Sequence, residues 1–298
     1  MQLDAIFISN INDIYGERGK AWLNALPLQI QQLCEKYQLR FVKPMPGLTY
    51  NFVGLIESTQ SGETAILKIA PAGQTLAKEA KWLQCFKQGV AKVYWYDEQQ
   101  HAFLMEHLVP GKALKTMVGM DDVKATRIIC QVIRDLQAEQ QAVLEGAFKH
   151  LSEHIKNLDV LQGKIDTKLL SKAQGLFVEL TSDRRYDVLL HGDLHHDNIL
   201  SSGHAWKAID PHGYVGDPVF EVGPMIYNPG GNDFPKDKKP AQIIDQRLQI
   251  LAEELPFDPK RIQAWAFCMT MLSIAWTVED HGFVPEFELA IAHDINKA

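Results

Sequence analysis

The chain has 298 residues, about twice the ~150 of an average domain, and its 46% hydrophobic and 22% charged residues suit a globular protein that buries its core without staples. A net charge of −7 disfavours nucleic acid, whose phosphates need clustered Lys and Arg, and sits comfortably with a cationic partner. Cys34, Cys85, Cys130 and Cys268 stand far apart in apolar surroundings with no CxxC pair, so buried free thiols in a reducing compartment are expected. MQLDAIFISN has no basic region before an apolar run, which argues for a cytoplasmic protein without a signal peptide.

In chain order, Gly16–Leu39 places Trp22, Leu26, Ile30, Leu33 and Tyr37 at helical intervals, with an interruption expected at Pro27. Tyr50–Ser58 and Glu63–Ala70 flank the turn Gln60-Ser61-Gly62 and predict a β-hairpin. A helix over Thr75–Lys87 is expected to end with Gly89 as its C-cap, followed by the strand-like AKVYWYD and HAFLMEHL. From Asp121 the pattern turns helical, with Ile128, Ile129, Val132, Ile133 and Leu136 on one face. Further helices are predicted over Phe148–Leu161 and Thr167–Leu180, a short strand over Asp187–Leu190, and mostly helix from Ala241. Ile262–Val278 is too short and too polar for a membrane span and predicts a buried core helix. The stretch Asn228–Pro240 has the composition of a loop.

The chemistry concentrates in HGDLHHDN, His191–Asn198. A binuclear metallohydrolase would want His-x-His-x-Asp-His, and a GDxxD phosphoesterase an acid where His196 stands, so both fit poorly. Ile199-Leu200 and Trp206–Ile209 instead form a hairpin that returns Asp210 to Asn198, two oxygen donors suited to a hard cation such as Mg²⁺. Asp193, five residues before Asn198, repeats the Asp-x-x-x-x-Asn spacing of the protein-kinase catalytic loop. On that reading His191 structures the loop, and His195 and His196 touch phosphate, solvent or substrate. Lys68 in ETAILKIAP could hold the α/β-phosphates, or be the solvated face of a strand. Glu79 could orient it, or pair with lysines on its own helix. GLTYNFVGL (Gly47–Leu55) is either a phosphate-covering turn or a plain hairpin connection. Backbone groups of Glu106 and Leu108 are placed to meet an adenine edge.

In these residues the chain resembles the aminoglycoside phosphotransferase-like kinases. HGDLHHDNIL looks like their HGDxxxxN signature, and AIDPHGYVGDP like their metal-binding segment, with Pro in place of the Phe of protein kinases. It is most similar to the streptomycin 6-phosphotransferase and hydroxyurea kinase branch, through GERGKAWLNALP, IDPHGYVGDPVFEVGPM and AWTVEDHG. The resemblance implies an α+β, bilobal, protein-kinase-like fold: a small β-rich lobe, 1–107, for nucleotide, and a larger, mostly helical lobe, 108–298, for catalysis, metal and substrate. It implies ATP and Mg as cofactors, Asp193 as base, Asn198 and Asp210 as metal ligands, Lys68 with Glu79 on the phosphates, and Glu106 and Leu108 at the adenine. Glu279 and Asp280 would meet the guanidinium groups of a cationic small-molecule substrate such as streptomycin, or form a solvated helix end. Homoserine, choline and fructosamine kinases share the signature. Glu221 stands where the family usually has an Asp that anchors the loop, which leaves a nucleotide-binding pseudokinase as the alternative.

Overall fold

The computed structural model describes residues 1, 3–71, 73–138, 146–236 and 238–297. They group into two units, Met1–Lys87 with Ala91–Val109, and Gln88–Val90 with the chain from Pro110 onward.

In the first unit, α1 (Ala5–Tyr37) begins well before the predicted helix. Its two arms join at Gly16, whose φ of 55° suits a residue without Cβ. The interruption expected at Pro27 does not occur. A proline inside a helix costs about 3 kcal/mol, but the predicted stripe residues Trp22, Leu26, Ile30 and Leu33 are all buried. Each contributes about 1.5–3 kcal/mol, so together they outweigh it. The helix stops before Leu39 because Gln38 turns left-handed, and β1 (Leu39–Pro44) follows, a half-exposed strand the periodicity had concealed. β2 (Phe52–Ser58) and β3 (Thr64–Ile69) form the predicted hairpin. The Gly47–Leu55 segment starts in the β1–β2 connection and runs into β2. α2 (Ala77–Gln84) is shorter than expected and ends at Cys85. Gly89 is not its C-cap: the Gly89 carbonyl accepts from the Ala208 N–H, which binds residues 88–90 into the second unit. β4 (Val93–Asp97) and β5 (Ala102–Glu106) complete an antiparallel sheet of order β1-β2-β3-β5-β4. Lys68 thus lies on its central strand, opposite Val53 and Phe103.

The second unit opens with β6 (Pro110–Ala113), which the sequence reading did not contain. In α3 (Lys115–Ala138) the backbone leaves helical geometry at Asp121, whose carboxylate accepts from the Lys124 N–H at 2.9 Å. The predicted start at Asp121 is therefore the cap of its second segment, and the end of the predicted stretch DDVKATRIICQVIRDLQAEQ, residues 139 and 140, lies outside the described residues. β7 (Lys149–His150) precedes a 3-10 segment, Leu151–Leu161, where an α-helix was expected. α4 (Thr167–Leu180) has the predicted bounds and is capped by Asp166. β8 (Val188–Leu190), β9 (Ile199–Ser202), β10 (Ala205–Ala208) and β11 (Tyr214–Gly216) make two small sheets, β10-β9-β6 and β7-β11-β8. α5 (Pro224–Tyr227), α6 (Pro240–Glu254), α7 (Pro259–His281) and α8 (Glu286–Lys297) finish the unit.

The Ile262–Val278 stretch lies within α7, with Trp265 to Leu272 wholly buried. No helix among the described residues is long and apolar enough to cross a membrane. All four cysteines are free, but Cys85 is only half-buried, a correction to the expected set: it sits in the last turn of a short helix, with its thiol on the Lys81 carbonyl.

One charge lies deep in this helical packing. The Arg247 side chain has no exposed surface, and its guanidinium grips both oxygens of Asp122 at 3.0 and 2.6 Å. It also donates to the carbonyls of Met225, Ile226 and Asn228. Arg247→Met should lose about 3–5 kcal/mol of stability, since it strands a buried carboxylate and three carbonyls. The urea midpoint of the variant against wild type is the measurement that checks it.

Candidate active site

Residues 191–198 form a loop without helix or strand, so its polar groups find partners in turn bonds and in groups beyond it rather than in a regular ladder. The carboxylate of Glu221 is wholly buried and accepts the N–H groups of His191 and Gly192. Glu221 is brought there by Asp217, which caps the 3-10 segment Pro218–Val222 and accepts from Arg261 and Trp265. Further on, the His196 carbonyl accepts from the Lys115 N–H at 3.1 Å, and that of Ile199 from Leu114 at 2.9 Å. The position that departs from the expected Asp therefore does anchor the loop.

The histidines divide by environment rather than converging on a metal. His191 is buried, bonds the Ile209 carbonyl through Nε2 at 2.8 Å, and accepts the Asp193 N–H at Nδ1. Burial holds it neutral, with its pKa lowered to about 4. His196 is also fully buried, and neither ring nitrogen has a hydrogen-bond partner among the described residues. This corrects the expectation that it touches phosphate, solvent or substrate: burial, then the nearby Arg247 charge, hold it well below the usual histidine range. His195 lies against Asp193, with Nε2 3.4 Å from Oδ2. Burial pulls His195 down, but the bond and charge of Asp193 raise it above its ordinary value. For Asp193, burial pulls upward, but the bond to His195 and the neighbouring histidines together hold its pKa below the ordinary value, so it remains a carboxylate. Among the described residues no group of three or more His, Cys, Asp and Glu could hold a metal ion.

Asp193 and Asn198 meet directly. The Asn198 amide donates to the Asp193 carbonyl at 2.9 Å and to its Oδ2 at 3.1 Å. His212 Nε2 lies 3.8 Å from the same Oδ2. Among the described residues these neighbours of the carboxylate gather on Oδ2, and Oδ1 is left to face other groups. The β9–β10 hairpin pairs as expected, and the Ile209 N–H donates to the Asn198 carbonyl at 2.9 Å, which brings Asp210 beside Asn198. With its amide nitrogen on Asp193, Asn198 has its oxygen for another partner. Together with Asp210 it offers an all-oxygen donor pair of the kind a hard divalent cation takes.

In the first unit the Lys68 ammonium lies 2.8 and 3.0 Å from the two oxygens of Glu79, and Lys68 is only 3% exposed. Lys68 is therefore not a solvated strand residue, and Glu79 reaches it from its helix with both oxygens. The Glu106 N–H donates to the Lys92 carbonyl at 2.8 Å, so it is not left for an acceptor on an adenine edge. Leu108 is buried. Glu279 and Asp280 are exposed at the end of α7, and Glu279 accepts from Asn157 at 3.2 and 3.3 Å.

Residues 48–281 match the family model of the aminoglycoside/hydroxyurea antibiotic resistance kinases. The chain belongs to this family. It is 26% identical to a streptomycin 6-kinase of Streptomyces glaucescens over 273 residues, 89% of this chain and 87% of that protein. It is 26% identical to a hydroxyurea phosphotransferase of Kitasatospora aureofaciens over 93% of this chain and 81% of that one. A Plasmodium vivax ethanolamine kinase superposes with a TM-score of 0.59 at 14% identity, covering 91% of this chain and 83% of that chain. The fold is accordingly kinase-like and α+β, with a β-rich first part and a mostly helical remainder. The family member described here is a phosphotransferase that uses a hydroxyl group of a small molecule as acceptor.

The Glu221 anchor carries a pH dependence. Burial raises its pKa from 4.5 to about 7, against the pull of the His191 and Gly192 N–H groups. A raised folded pKa gives stability that is complete below the unfolded value and is lost as pH rises toward 7. His191, with its pKa lowered to about 4, acts in the opposite sense but equally in a Glu221 variant. The stability of wild type relative to Glu221→Gln should therefore fall as pH rises from 5 to 7. Parallel urea titrations of the two proteins measure that difference.

Proposed function

We propose that this protein transfers the γ-phosphoryl group of ATP, with Mg²⁺, to a hydroxyl of a cationic aminoglycoside such as streptomycin. The observation that carries the reading is the Asp193–Asn198 pair on an anchored loop, with Asp210 returned beside it. Support also comes from the buried Lys68–Glu79 pair and from relatives named for streptomycin and hydroxyurea.

The first unit is assigned to nucleotide and the second to catalysis, metal and acceptor. Lys68, held by Glu79, neutralises the α/β-phosphates, and the Glu106 carbonyl with the Leu108 backbone receives the adenine edge. Asn198 and Asp210 hold the metal, which supplies charge neutralisation for the phosphate oxygens when bound. Asn198 and His195 keep Oδ2 of Asp193 occupied, so Oδ1 receives the acceptor's proton. The acceptor oxygen then forms its bond to phosphorus as the bond to ADP breaks. Glu279 and Asp280 offer carboxylates to the acceptor's guanidinium groups.

The pseudokinase alternative drew on the Glu221 substitution or an altered loop; against it, the Glu221 side chain accepts the His191 and Gly192 N–H groups. Kinases of homoserine, choline or fructosamine type remain the nearest rivals for the acceptor. Asp193→Asn should lower transfer by about 10²–10⁴-fold, the usual weight of a general base, while the Kd for ATP stays within a few-fold. Labelled ATP with streptomycin, hydroxyurea and small alcohols as acceptors checks both halves. Full activity in Asp193→Asn removes Asp193 from the role of base.

A further inference from the structure

The first unit holds one segment without a part in the proposed transfer, the opening arm of α1. Residues 11 and 19 of a straight helix would stand ~12 Å apart along its axis. Here a Cβ on Gly19 would lie 2.5 Å from the Ile11 carbonyl oxygen, so the arm before Gly16 bends back onto the arm after it. Phe7 from the first arm meets Trp22 from the second edge-on, with ring centroids 6.2 Å apart. The stretch GERGKAWLNALP thereby gains a physical account: Gly16 turns the chain, Gly19 admits the returning carbonyl, and Trp22 receives Phe7.

The first arm in turn holds the connection between β1 and β2, residues 45–51. Pro46, Gly47, Thr49 and Tyr50 are exposed there, yet Leu48 is buried in the same apolar cluster as Phe7, Ile11 and Trp22. The Asn10 side-chain amide donates to the Thr49 carbonyl at 3.3 Å. Tyr15, at the end of the arm, packs against the cluster, and burial and then the neighbouring Tyr50 raise its pKa. Among the described residues the backbone of the connection closes only at its base, where the Met45 N–H donates to the Val53 carbonyl at 2.9 Å. Val53 is also the register partner of Lys68. The connection therefore springs from the place in the sheet next to the lysine assigned to the phosphates.

A phosphate-covering turn acts through backbone N–H groups, which serve best when the turn already has its bound shape. GLTYNFVGL lacks the closely spaced glycines of G-x-G-x-x-G, so its shape comes from what it leans on. We propose that the first arm of α1, through Asn10 and Leu48, is a brace that fixes the β1–β2 connection over the triphosphate of the nucleotide. This rests on the phosphotransferase reading, with nucleotide in the first unit, and makes Asn10 and Leu48 positioning residues. Both act through the backbone of the turn, and neither meets the nucleotide.

Calorimetric titrations of the full chain with ATP and Mg²⁺, and separately with adenosine, test the brace, with steady-state kinetics alongside. Asn10→Ala should weaken ATP binding about three- to tenfold, the worth of one neutral hydrogen bond. Leu48→Ala should weaken it about tenfold, with Leu48→Met recovering most of the loss. Gly19→Ala, which crowds the Ile11 carbonyl from outside the turn, should act in the same direction. Adenosine has no phosphates, so its affinity should stay unchanged, and the kinetic loss should fall on the KM for ATP and not on that for the acceptor. ATP affinity equal to wild type in Asn10→Ala and Leu48→Ala overturns the brace. So does a loss shared equally by adenosine or by the acceptor KM, which general loosening of the unit would produce. In these cases wild-type protein that binds ATP leaves the nucleotide reading standing, whereas wild-type protein that binds no ATP removes that reading and the brace with it.

Discussion

An irregular loop with reacting groups on it must be held by something other than its own backbone pairing, and here Glu221 supplies that hold. Two adjacent N–H groups, those of His191 and Gly192, end on one buried carboxylate. Leaving such donors unpaired in a buried setting would cost about 1–3 kcal/mol each. The rest of the loop is tied through the Lys115 bond to His196 and the Ile209 bond to Asn198. Asp193 and Asn198 can therefore keep one geometry while ligands come and go. Every proposed step in the second unit depends on this fixation.

The first unit solves a related problem in the opposite manner. A lysine at 3% exposure is expensive unless its charge is matched. Glu79 matches it with both oxygens, from a short helix adjoining the central strand of the sheet. The pair is thus largely desolvated, and a charge fixed in place by its partner acts more strongly than a solvated one. Arg247 and Asp122 show the same rule used for architecture alone: a buried fork satisfied by a carboxylate and three carbonyls, remote in role from any proposed step.

Much of this could be read from residue order because the signals were local. The α4 helix, the β2–β3 hairpin and the β9–β10 hairpin carry their own periodicity and turns, and they appear where expected. What escaped was set by neighbours far along the chain. Strand β1 is half-exposed and continues a helical stripe, so only pairing with β2 reveals it. Gly89 looks like a helix cap, yet its carbonyl goes to Ala208. His196 looks like a ligand in HGDLHHDN, yet packing encloses it completely.

The amino-acid order by itself determined the kind of chemistry. Spacing placed an Asp, an Asn and a returning Asp on one loop and hairpin, and put a lysine ahead of a glutamate. Such short-range arrangements survive because turn geometry is local. Only the tertiary structure decided which of the three histidines are buried and stay neutral, and that a Glu does the anchoring. Those outcomes depend on burial and on partners distant in the chain, 30 residues apart for Glu221 and His191, and neither is a property of any short stretch of sequence.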